Sequence, residues 1–114
     1  MTRKSKCNNG SVKISNDIIT LIAGKAALDV EGVYCLISKQ GEEIFRVDNN
    51  AARALNIEIG RNSIMVDVDL VIKNDFKIRE VCREVQEKIA KDINVMTGLE
   101  VSVVNVNVEK LQFN

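Results

Sequence analysis

The spacing of apolar residues along this chain changes from segment to segment, and each change marks an element. From Ser15 the period is helical, with Ile18, Ile19, Leu21, Ile22, Ala23, Ala26, Ala27 and Val30 returning to one side every three or four residues. Ser15 is placed to cap the first turn, Asp17 lies where the macrodipole favours an acid, and Gly32 supplies the stop. Val33 to Ser38 is β-rich and apolar on both alternation phases, and the polar cluster Lys39 to Glu43 turns the chain out of it. The stretch from Ile44 to Asn56 is the least patterned; Asp48 there predicts a brief helix from Asn49 to Leu55, while Asn49 and Asn50 also suit a loop.

Beyond it the period drops to two. Ile57 and Ile59, a turn at Gly60-Arg61-Asn62, and Ile64, Val66, Val68, Leu70 and Ile72 predict a hairpin. Asp75 is the expected cap of a second helix, whose core stripe is Ile78, Val81, Cys82, Val85, Ile89, Ile93 and Met96. Its opposite face mixes signs, with Arg83, Glu87, Lys88 and Asp92 among them, as a solvated face does. Gly98 ends this helix. In the last strand Leu99, Val101 and Val103 hold one phase while Val104, Val106 and Val108 hold the other, so a β-bulge or a change of covered face is expected near Val103 and Val104.

Two helices with one dominant apolar face and strands that are half apolar predict an α+β fold: a two-layer sandwich with the helices on one face of a small mixed β-sheet. Residues 1–9, with Arg3, Lys4 and Lys6 and almost nothing apolar, are expected to be a mobile tail, and residues 10–114 a single domain. The first helix is apolar over much of its circumference, which predicts packing on two sides, one against the sheet and the other open to a partner. Its small residues Ala23, Gly24, Ala26 and Ala27 suit tight packing.

Composition narrows the chemistry. The 16 Lys and Arg balance the 16 Asp and Glu, which leaves no global field to gather nucleic acid or an anionic membrane. The chain has no His, which excludes Ser-His-Asp, Cys-His and His-ligated zinc mechanisms. No stretch reaches the roughly 18 apolar residues of a spanning helix, and the N-terminus lacks a secretory h-region, so a cytoplasmic protein with no direct membrane insertion is expected. Cys7, Cys35 and Cys82 are odd in number and widely spaced, which predicts reduced thiols; Cys82 lies on the core stripe and reads as a small buried hydrophobe.

Asp67 and Asp69 share one strand face with Cα atoms roughly 6.8 Å apart. Such a pair invites an acid/base or divalent-metal reading, but no pocket to separate the two pKa values and no further oxygen ligands are visible, so the residues read as a solvated strand face. Neither a catalytic residue nor a cofactor or metal is expected. Asn105 and Asn107 are unfavourable strand residues opposite the valines. With Val101 and Val103 they form the candidate interface, since a sheet covered by helices on one side leaves a second face and an edge available.

Gly10, Ile14-Ser15, Ile18-Ile19, Ile22-Ala23, Ala26-Ala27 and Gly32-Val33, at the spacing in which they stand, resemble the N-terminal signature of the alkaline shock protein family, a group of bacterial envelope stress response proteins. Glu80-Val81, Val85-Gln86, Met96-Thr97-Gly98-Leu99, Val101 and Val104-Asn105-Val106-x-Val108 resemble its second signature. The resemblance departs at Glu31, where the family usually has Pro, and at Asn74-Asp75-Phe76, where it usually has an aromatic-Gly turn. It implies Gram-positive bacteria, self-assembly as a homo-oligomer, and attachment to the inner face of the membrane through a membrane-anchored partner protein. It carries over no catalytic residue. The expected function is thus a non-catalytic scaffold. The alternative, a small RNA- or nucleic-acid-binding module, lacks a Gly-x-x-Gly loop, a basic excess and, at 4% aromatic residues, the means to stack bases.

Overall fold

The strand from Ile64 to Lys73 organises the molecule, because its alternation assigns one side wholly to a core: Ile64, Val66, Val68, Leu70 and Ile72 are each at most 1% exposed. The computed structural model describes residues 14–47, 53–61 and 63–113. In chain order the elements are α1 (Asn16–Asp29), β1 (Val33–Ile37), β2 (Glu43–Ile44), β3 (Leu55–Ile59), β4 (Ile64–Lys73), α2 (Ile78–Thr97) and β5 (Val101–Gln112). The tail expected over residues 1–9 lies outside the described residues.

Amide directions show how β4 serves several neighbours. The Ile64 N–H donates to the Glu100 carbonyl, towards β5, whereas the Asp69 N–H donates to Ala54 and the Lys73 N–H to Gly32. Because successive N–H groups of a strand point to opposite edges, β5 runs along one edge of β4 while β3 and β1 share the other. β3 and β1 are antiparallel to β4, β5 is parallel, and β2 pairs with the far side of β1. A parallel neighbour needs a crossover, and α2 provides it. The fold is α+β with a mixed sheet.

Both helices lie on the same sheet face. Ile19, Ile22, Ala23 and Ala26 of α1 and Val81, Val85, Ile89 and Ile93 of α2 join the even-numbered side chains of β4 in one buried cluster. The alanines, each fully buried, let α1 approach both α2 and the sheet. The outer side of α1 stays open at Ile18 (49% exposed) and Leu21 (42%). β1 is apolar on both phases because it is buried on both faces: Val33 and Leu36 enter the main core, while Cys35 and Ile37 form a second cluster with Val71 across the sheet.

The helix ends follow local chemistry. The Ser15 hydroxyl accepts from the Ile18 N–H at 3.3 Å, as the capping position predicts, and Gly98 closes α2 in the left-handed conformation (φ +78°). α1 ends at Asp29 with Val30 as its C-cap, and Gly32 occupies the following turn at φ +103°.

Other expectations are corrected. Asp75 does not cap α2; Lys77 holds the cap position with no side-chain bond, and Asp75 lies in the preceding turn. Ile78 and Met96 leave the core stripe, at 43% and 69% exposed, one in the first turn of α2 and the other in its last. Of the helix expected from Asn49 to Leu55, residues 49–52 lie outside the described residues. Leu55 itself opens β3, since the preceding Ala54 carbonyl is already engaged by β4.

Candidate functional site

The sheet face turned away from the helices divides into a closed half and an open half. In the closed half Cys35 and Val71 are fully buried although no helix covers them. Lys110 of β5 lies opposite Val71, and its ammonium reaches Glu43 of β2 at 3.7 Å, so the two side chains bridge the sheet above Cys35. The Tyr34 and Phe45 rings meet edge to face at 5.2 Å beside them. Burial, then the Glu43 carboxylate, push the Cys35 thiol up to about 11, with Lys110 opposing. Cys82 is also raised, by burial. Neither is an activated nucleophile. Cys35 should resist a thiol-specific reagent in the native protein at neutral pH and react once denaturant is added; full labelling without denaturant would show that the bridge does not shield it.

In the open half, β3, β4 and β5 carry Asn56, Glu58, Met65, Asp67, Asp69, Val103, Asn105 and Asn107 on one surface, as their register requires. Asp67 and Asp69 do share this face. The Asn107 amide donates to the Asp69 carboxylate at 2.9 Å, and among the described residues no cluster of three or more acidic, Cys or His side chains is disposed to hold a metal. Replacing both by Asn should change stability by no more than about 0.5 kcal/mol, since the amides keep the acceptor that Asn107 uses. A melting temperature that rises with a divalent cation in the wild type and not in this variant would contradict that reading.

Of the candidate interface, the structure brings together Val103, Asn105 and Asn107 and separates Val101. The bulge lies at Ser102, between the pairs Ile64–Val101 and Met65–Val103, so Val101 turns to the helix side and packs against the main core. Val71, on the same side of β4 as Met65, is buried beneath Lys110. What remains apolar on the open half is Met65 (41% exposed) beside Val103 (39%). A groove of about 380 Å³ lies between α2 and the start of β5, lined by Gln86, Glu87, Ala90 and Val101 to Val104. Its polar groups are one carboxylate, one amide and a hydroxyl, with no acid/base pair.

The edge that the sequence analysis expected to be available is the outer edge of β5. No strand pairs with it among the described residues. In a parallel ladder with Val66 opposite Val104 and Val68 opposite Val106, Asn105 and Asn107 spend their N–H and C=O groups on β4, so those of Val104, Val106 and Val108 point outward. Gln86 of α2 agrees with this, donating its side-chain amide to the Val104 carbonyl at 3.1 Å.

The family model of the alkaline shock proteins, described as having a cell envelope-related function, matches residues 4–113. The chain belongs to the alkaline shock protein family. Among relatives, it is 31% identical over 114 residues to the uncharacterized protein YloU of Bacillus subtilis (strain 168), covering 96% of this chain and 94% of that one. It is 28% identical over 117 residues to the uncharacterized protein Spy1614 of Streptococcus pyogenes serotype M6, covering 98% and 96%. Among solved structures, a MamM-CTD variant superposes with a TM-score of 0.60 at 16% identity, covering 84% of this chain and 98% of that one. The copper form of MamM CTD gives 0.57 at 17% identity, covering 88% of each. At such identities the likeness is one of fold. No helix among the described residues of this alkaline shock family chain is long and apolar enough to cross a membrane.

Proposed function

We propose that this alkaline shock family chain is a non-catalytic scaffold of the bacterial cell envelope, which self-associates and is held at the inner, cytoplasmic face of the membrane by a membrane-anchored partner protein. The observation that carries the reading is the contrast between the two sides of β5: one edge is saturated by β4, while along the other no strand pairs among the described residues, and Met65 and Val103 stand exposed on the adjoining face. A free edge strand is a template for another chain, and natural proteins that do not use one normally guard it. The family's envelope-related function and the absence of a spanning helix among the described residues fit attachment through a protein. Among the described residues, the raised thiols and the scattered carboxylates supply no catalytic pair.

Sedimentation velocity of the full chain from low to high micromolar tests the self-association. The weight-average mass should rise from 12.7 kDa towards twice that value. Val103→Lys, which places a charge on the exposed side of β5 next to Met65, should weaken association at least about tenfold while leaving the melting temperature almost unchanged. A strict monomer at every concentration would defeat the self-assembly reading. A Val103→Lys chain that associates as tightly as the wild type would remove this patch from it.

A further inference from the structure

We infer that β5 pairs antiparallel with β5 of a second copy across a two-fold axis at Val106, joining the two sheets into one. The inference rests on the self-association proposed above and specifies its interface. Residues 103–108 form the regular stretch of β5 between the register shifts of its ladder with β4. Within it, Val104-Asn105-Val106-Asn107-Val108 reads the same in both directions. A two-fold antiparallel pairing can be built on any sequence; centred on Val106, this one sets valine against valine and asparagine against asparagine.

The backbone supports the same axis. Only residues whose amides point outward can form the bonded pairs of a new ladder, and these are Val104, Val106 and Val108. An axis at Val106 pairs it with its own copy and pairs Val104 with the second copy's Val108, whose N–H takes the second lone pair of the Val104 carbonyl that Gln86 already engages at 3.1 Å. Asn105 then stands opposite the second copy's Asn107 in a non-bonded pair, where side chains come closest. The Asn107 NH2 group is already given to Asp69, which leaves its carbonyl free to accept from the incoming Asn105 amide.

Charge selects a second copy seated at the edge over one stacked face to face. From Val101 to Val108 the strand carries no ionisable residue, so the pairing opposes no like charges. Face-to-face stacking of the open halves would instead set Glu58, Asp67 and Asp69 against the same carboxylates. The devices that usually blunt an edge, a proline or a lysine within the strand, are missing over this stretch. On the helix side Val104, Val106 and Val108 are only partly covered, so valine of one copy meets valine of the other.

Amide hydrogen exchange followed by NMR on the full chain tests the pairing. In a single copy the Val104, Val106 and Val108 amides have no acceptor in the sheet, while Asn105 and Asn107 donate to β4. Raising the concentration should slow exchange at the three valines, by about tenfold once the free chain is at ten times Kd, and leave the asparagines unchanged. Val106→Pro removes an outward N–H and no bond to β4, so it is compatible with an edge strand. It should weaken association at least about tenfold with an unchanged circular dichroism spectrum. Should the proline disturb the fold, the wild-type exchange pattern still decides the question. Association with the three valine amides unprotected, or a folded Val106→Pro chain that associates normally, overturns the edge pairing and leaves the scaffold reading standing; a strict monomer overturns both.

Discussion

Val85→Asp is expected to abolish cooperative folding. Val85 is fully buried at the middle of α2, between Val81 and Ile89 on the stripe that faces β4, and among the described residues no cation in the core stands ready to pair with a new carboxylate. Removing an unpaired charge from water costs several kcal/mol, comparable to the roughly 5–15 kcal/mol that holds a typical domain together. The loss has a pH signature. Burial raises the folded-state pKa of the introduced acid above its unfolded value, so the penalty is complete once the folded-state group would be ionised and shrinks as pH falls towards about 4, where the unfolded chain also takes up the proton. Circular dichroism melts at neutral and acid pH check both parts. A soluble variant that melts cooperatively near the wild-type temperature would show that α2 does not face the sheet at this position.

Gly32→Ala has the second largest expected effect, for a reason no helix or strand propensity reveals. The glycine sits at φ +103°, where an L side chain is strained, and an added Cβ would stand 2.7 Å from Cγ2 of Val81 and 3.0 Å from the Phe76 ring. The turn after α1 is pressed against the first turn of α2, and neither neighbour is the free end of a flexible side chain. Strain and overpacking together should cost about 2–4 kcal/mol, lowering the melting temperature by about 10 °C or more. Gly41→Ala is the comparison that isolates the contact: Gly41 has φ +90° but nothing within 4 Å of an added Cβ, so it should lose only the strain, about 1 kcal/mol. Equal losses at the two positions would refute the close approach.

The elements whose side chains alternate or recur on one face were legible in the sequence, because burial on one side imposes a period. That holds for α1, for the hairpin of β3 and β4, and for the stripe of α2 between Val81 and Ile93. The ends were not. Asp75 looks like a cap but lies too early, and Met96 continues the helical period past the point where anything packs against it. The slip in β5 was visible in the valines, yet a period cannot say which residue is extra; Ser102 being that residue moves Val101 to the core and keeps Val103 with the asparagines. A second slip, from Val108 to Leu111, marks the shift that brings Lys110 over Val71. The ion pair of Lys110 with Glu43 joins residues far apart in the chain, so no local pattern announces it. The free edge of β5 depends on which strands neighbour it, a property of topology that alternation does not encode.

Acidic residues on the open half of the sheet also weigh against the nucleic-acid alternative, because Glu58, Asp67 and Asp69 would face the phosphates of any strand laid across it. A gel shift should accordingly show no binding that salt can titrate. The central claim, that this alkaline shock family chain serves the envelope through protein contacts, is tested most directly by co-sedimentation with membrane vesicles from the cell that makes it. Vesicles that retain their proteins should bind the chain, and the same vesicles shaved with protease, like protein-free liposomes of the same lipids, should not. Binding to none of the three, or equal binding to protein-free liposomes, would contradict the account.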